Sequence, residues 1–253
     1  MTSSRHQMQS DPPQGGVMQP KAVTSPQINC MGCKRRKDNM CVIAVSKAGR
    51  RQPTEEEIRN MFYHNPHGAG YMFARDGEVI IHKGFMDVEE YIKAVRSEGL
   101  TEETPAVYHF RISTQAGVGE TMTHPFPLTS RLEDTEVLDC IAQCGVAHNG
   151  VISLTTNGNS RYSDTALFIT DYLNKLIRNP KDLKDKAIIT MISRLTNSKW
   201  AIMDASGEIA VIGSPWYVED GVQFSNHSYE KYETYYYTKP ARKTKGAQIT
   251  FEF

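Results

Sequence analysis

The order in which apolar patterns change along the chain most constrains its fold. Short β-branched or alternating runs come in clusters: Cys41–Val45, then Gly70–Ala74 with Glu78–His82, then Ala106–Ile112 and Cys140–His148, and finally Trp200–Met203, Ile209–Ile212 and Val222–Ser225. Segments with helical spacing lie between the clusters. Thr54 followed by Glu55, Glu56 and Glu57 predicts a capping-box helix start, with Ile58, Met61 and Phe62 on one face. Met86–Ser97 predicts a second helix, and Asp164 to about Lys175 and Leu183–Leu195 predict another pair. A parallel sheet of βαβ units needs strands and helices to alternate one by one. Clustered strands with paired helices favour antiparallel sheets layered under helices, an α+β fold in one main domain with no internal repeat.

The texture changes abruptly at residue 41. Residues 1–40 are rich in Ser, Gln, Pro and Gly and include Lys34-Arg35-Arg36-Lys37, a composition that cannot bury a core. They read as a disordered leader, a propeptide or an upstream extension. Residues 41–228 hold the domain, and 229–253 form a basic, Tyr-rich tail. With 39% apolar and 23% charged residues the chain matches an ordinary globular protein. Lys plus Arg and Asp plus Glu each total 29, so net charge points to neither a nucleic-acid nor a membrane partner. No apolar run reaches about 18 residues, and no secretory signal opens the chain. Five cysteines, an odd number at low density, fit a reducing compartment, so a cytoplasmic location is expected. Cys30 and Cys33 form a CxxC without partners at a familiar zinc spacing, whereas Cys140 and Cys144 read as small hydrophobes on a buried strand.

Four segments carry chemistry when taken together: Met40-Cys41-Val42-Ile43-Ala44-Val45, His109-Phe110-Arg111-Ile112-Ser113-Thr114, Ala147-His148-Asn149-Gly150-Val151-Ile152 and Ser163-Asp164-Thr165. In this order they resemble class II glutamine amidotransferases, Ntn hydrolases whose first residue is a nucleophilic cysteine. The resemblance runs from Cys41 to about Ser225, with Phe110 standing where the family has Thr and Gly117 one position late. It implies a four-layer αββα sandwich of two antiparallel sheets, and glutamine as substrate. It also implies a separate synthetase or transferase subunit as the partner that receives ammonia, since fewer than about thirty residues follow the domain. No cofactor or metal is implied.

Each implied role makes sense in elementary chemistry. Amide hydrolysis needs a nucleophile, a base for its proton, donors for the tetrahedral oxyanion and groups that fix the substrate. A cysteine at a chain terminus supplies the first two, because an α-amine with an ordinary pKa near 8 can accept the thiol proton. The resemblance gives the oxyanion to the Asn149 carboxamide and the Gly150 N–H. By itself Asn-Gly is more often a hairpin turn. Arg111, with its planar fork, would hold the α-carboxylate of glutamine and Asp164 its α-ammonium; alone, they read as a surface ion pair and a helix cap. Thr114, His109 and His124 would line the pocket, the histidines as pocket residues and not as bases.

As written, Cys41 is internal and its nitrogen is an amide, which cannot act as a base. The expectation is therefore conditional: the domain hydrolyses glutamine only when residue 41 is the terminus, through translation from Met40 or through cleavage of the leader. The competing expectations are a catalytically silent Ntn-fold binding module and an amidohydrolase acting on another amide.

Overall fold

A computed structural model describes residues 40–113, 117–153 and 161–231, all within one compact unit, Arg35–Thr234. In chain order, β1 (Val42–Ser46) leads through α1 (Glu55–His64) to the hairpin of β2 (Ala69–Arg75) and β3 (Glu78–Phe85), followed by α2 (Val88–Ser97) and β4 (Ala106–Phe110). Next come β5 (Phe126–Pro127), β6 (Asp139–Ala142) and β7 (Cys144–Asn149). Helix α3 (Asp164–Phe168) continues through a π-helical turn, Ile169–Leu173, into α4 (Asn174–Leu176), and α5 (Lys186–Thr196) follows. The last strands are β8 (Lys199–Asp204), β9 (Ile209–Ile212), β10 (Tyr217–Glu219) and β11 (Val222–Phe224).

The strands form two antiparallel sheets, one of seven in the order β10-β11-β1-β4-β2-β3-β6 and one of four in the order β5-β7-β8-β9. Local signals explain most boundaries. The Thr54 hydroxyl accepts from the Glu57 N–H while the Glu57 carboxylate accepts from the Thr54 N–H, and Asp87 caps α2. Asp76 and Gly77 both take positive φ, 55° and 78°, the pair that a tight hairpin between right-twisted strands requires.

The two-residue period of β1 separates two cores. Val42 and Ala44 join Tyr71, Tyr91, Tyr108 and Phe110 beneath α1 and α2. Ile43 and Val45 join Met72, Val107, Ala147 and Met203 between the sheets. On the far face of the smaller sheet Val146, Trp200 and Ile202 pack against Phe168, Leu173 and Ile192. The layers thus run helix, sheet, sheet, helix, with strands buried on both faces; burying each large apolar side chain contributes about 1.5–3 kcal/mol.

Cys140–His148, expected as one strand, is two. It breaks at Gln143, with β6 at an edge of the larger sheet and β7 inside the smaller. An apolar pattern cannot say which sheet a residue joins. The split is tertiary: Asp139–Ala142 pairs with β3 while Cys144–Asn149 pairs with β8. A Cβ on Gly145 would lie 2.4 Å from Met72 Sδ, so the glycine keeps this part of the joint between the sheets clear. Cys140 and Cys144 are half-buried rather than fully buried, and β10 has no counterpart in the expected strands. The leader with Cys30 and Cys33, the end of the tail and Thr114 lie outside the described residues.

Candidate active site

Four element ends meet at one edge of the inter-sheet layer. In the β1–β4 pairing Val42 is opposite Phe110. One residue further, the register sets Cys41 beside Arg111, both on the inner face by strand alternation. The Cys41 thiol donates to the Ile112 carbonyl at 3.6 Å, and Asn226 Nδ2 donates to the Cys41 carbonyl at 2.9 Å, which fixes the residue from its C-terminal side. Burial pushes the Cys41 thiol above its ordinary pKa; Arg111 opposes that shift and Asp164 adds to it, so all three groups share one electrostatic environment.

Arg111 is held by its backbone. Its N–H donates to the Gly68 carbonyl at 2.8 Å and its carbonyl accepts from the His67 N–H at 2.9 Å, while His67 Nδ1 accepts from the Ser113 N–H at 2.8 Å. The residue is only 6% exposed, yet its Nη1 has no hydrogen-bond partner among the described residues, and no described carboxylate pairs with it. Burial lowers the guanidinium pKa, opposed by Cys41 and Asp164. A buried cation with an unused donor is costly unless something else supplies the acceptor.

Asp164 is the first residue of α3. Ser163, not Asp164, is the cap, its hydroxyl accepting from the Ala166 N–H at 3.1 Å. Asp164 Oδ2 accepts from the Ile152 N–H at 2.7 Å and Oδ1 from the Thr165 N–H at 2.8 Å, so the carboxylate is oriented by backbone.

Asn149 ends β7 on the inner face. Its Nδ2 lies 2.8 Å from Ser225 Oγ, which also accepts from the Ile43 N–H at 2.8 Å; Asn149 Oδ1 is buried without a partner among the described residues. After Gly150 the chain does not double back, since the next strand beside β7 begins only at Lys199, so the hairpin alternative for Asn-Gly does not hold. A Cβ at residue 150 would sit 2.1 Å from Ser198 Oγ and 2.6 Å from Ser198 Cβ, an approach that only glycine permits. Asn149, Lys199, Tyr217, Ser225, Asn226 and Met40 border a polar cleft of about 360 Å³.

The histidines form a second tier. His109 Nε2 and His124 Nδ1 lie 3.0 and 3.1 Å from the His148 carbonyl, and His148 Nδ1 lies 2.8 Å from Thr165 Oγ1. Burial pushes His109 and His148 down to about 3 and His124 well below the usual histidine value, so all three are neutral. Neutral rings on one carbonyl hold the peptide that precedes Asn149, and His148 links it to the helix that carries Asp164. Sequence reasoning missed His148 and Ser225. His148 had one visible signal, its place beside Asn149; a serine ending an apolar strand had none. Among the described residues, no group of three or more His, Cys, Asp or Glu side chains is arranged to hold a metal ion.

The sequence matches no known family model, and no curated protein matches it.

Proposed function

We propose that this chain holds a class II glutamine amidotransferase domain of the Ntn-hydrolase type, which releases ammonia from glutamine through a thioester on Cys41. The observation that carries the proposal is the buried Arg111 guanidinium, its Nη1 unpartnered among the described residues, sharing an electrostatic environment with Cys41 and the oriented carboxylate of Asp164. An unused cation and a fixed anion flanking a nucleophile suit the two charged ends of a free α-amino acid. The helix, sheet, sheet, helix layering supports the same assignment.

The chemistry follows from the environment of the thiol. A thiol raised by burial forms little thiolate near neutral pH, and no imidazole lies within hydrogen-bond distance of Cys41 Sγ among the described residues. The base in this proposal is the α-amine of residue 41, freed when the preceding chain is absent. It takes the thiol proton as sulfur attacks the γ-carboxamide carbon, and Asn149 with the Gly150 N–H stabilises the oxyanion. The amine returns the proton to nitrogen as the C–N bond breaks, ammonia departs and a γ-glutamyl thioester remains. Water cleaves the thioester to glutamate and restores the thiol. A synthetase or transferase would consume the ammonia.

The test compares protein starting at Cys41 with protein starting at Met1. Ammonia release from glutamine is expected only in the shorter form, and Cys41→Ala should abolish it. Activity in protein retaining residues 1–40, verified by intact mass, defeats the amine-base mechanism; no activity in either form defeats the enzyme assignment.

A further inference from the structure

Ser225 continues β11 beside β1, where its N–H donates to the Ile43 carbonyl at 2.9 Å and its carbonyl accepts from Lys199 Nζ. The residue is fully buried. With its N–H and carbonyl so held, its hydroxyl lies 2.8 Å from the Ile43 backbone nitrogen and 2.8 Å from the Asn149 side-chain carboxamide. The Ile43 N–H can only donate, so the hydroxyl oxygen must accept there, leaving the hydroxyl proton for another acceptor.

The nitrogen and oxygen of a carboxamide have nearly the same shape, and the hydrogen-bond network decides which way the group faces. With Nδ2 toward Ser225, the hydroxyl accepts twice, and Asn149 Oδ1 is left buried without a donor among the described residues. Turning the amide by half a rotation gives the hydroxyl proton an acceptor and exchanges the unpartnered buried acceptor for an unpartnered donor. Ser225 then donates to Oδ1, and the NH2 takes the buried position that now lacks a partner. Only donors remain unsatisfied there, and a developing oxyanion satisfies donors.

We infer that Ser225 sets the direction of the Asn149 carboxamide, accepting from the Ile43 N–H and donating to Oδ1, so that the NH2 faces the oxyanion. This inference rests on the proposed amide hydrolysis and makes Ser225 a positioning residue, since it acts through Asn149. It joins the two sheets by one side-chain bond at the point where the donor is needed.

The test uses full domains beginning at Cys41: wild type, Ser225→Ala and Ser225→Thr, each confirmed as folded by its thermal transition. Loss of one oxyanion donor lowers kcat by about 10²–10³; misdirection of that donor in Ser225→Ala should lower kcat at least about 30-fold on that scale, with KM changed by less than about threefold. Ser225→Thr, which keeps the hydroxyl, should recover most of kcat. Equal kcat in wild type and Ser225→Ala, or parallel loss in Ala and Thr variants that both fold, overturns the inference and leaves the amidotransferase proposal standing. An inactive wild type defeats that proposal instead. In either case neutron diffraction of the wild-type domain reads the amide directly: deuterium on the Asn149 atom facing Ser225 overturns the inference, and deuterium on the opposite atom supports it.

Discussion

Replacing Arg111 with Met should make the domain more stable and unable to hold its substrate. The guanidinium is 6% exposed and pairs with no described carboxylate, so folding desolvates a cation for incomplete return. Exchanging buried ionic groups for well-packed apolar ones often stabilises by about 1–4 kcal/mol. Asp164 lies near enough to offset part of the cost, which places the expected gain at the lower end, about 1–2 kcal/mol. For a domain of this size each kcal/mol moves the melting temperature by about 2–4 °C, so a rise of roughly 3–6 °C is expected. Ligand linkage should move the other way. L-Glutamate at a hundredfold excess over its Kd adds about 2.7 kcal/mol to a protein that binds it; the wild type beginning at Cys41 should show such a shift and Arg111→Met should not. The assay is a pair of thermal scans with and without glutamate. A variant that melts several degrees below wild type would show that the guanidinium serves the fold, and the reasoning that reads its unused donor as a ligand site would then be wrong.

Two further outcomes follow from burial alone. His109 and His148 are held near pKa 3, so between there and the ordinary histidine value the unfolded chain binds protons that the folded chain refuses. Stability should therefore fall on acidification, by about 3–4 kcal/mol for the two together from pH 7 to pH 5, in urea titrations; a flat profile over that window contradicts their burial as neutral rings. Gly145→Ala should cost about 1–3 kcal/mol by driving a methyl into Met72 and Val79 between the sheets. Adding Met72→Ala should return part of that loss, and strict additivity of the two changes would refute the contact.

Secondary structure was legible wherever a local rule applied: the Thr54 capping box, the Asp76-Gly77 turn and the alternation in β1 each depend on neighbours in the chain. Sheet membership was not. Residues 140–148 look uniformly strand-like, and the break at Gln143 follows from pairing with two different strands, β3 before it and β8 after it, which no local pattern encodes. For the site, the ordered motifs marked Cys41, Arg111, Asn149, Gly150 and Asp164, and the structure brings these element ends to one edge. Strand order and register determine that convergence, and no single motif encodes them. Ser225 stayed hidden because its importance lies in two partners, Ile43 and Asn149, that only the folded sheets bring to one hydroxyl.

The division at Gln143 has a consequence beyond topology. Cys41 and Arg111 adjoin strands of one sheet, Asn149 ends a strand of the other and Asp164 begins a helix outside both, so the candidate site is a seam between the two sheets. Its geometry is inherited from how those sheets are shimmed by residues such as Ala147, Ala201 and Gly145. A change to those spacers would shift the Cys41 thiol relative to the Asn149 carboxamide while each sheet kept its own internal order.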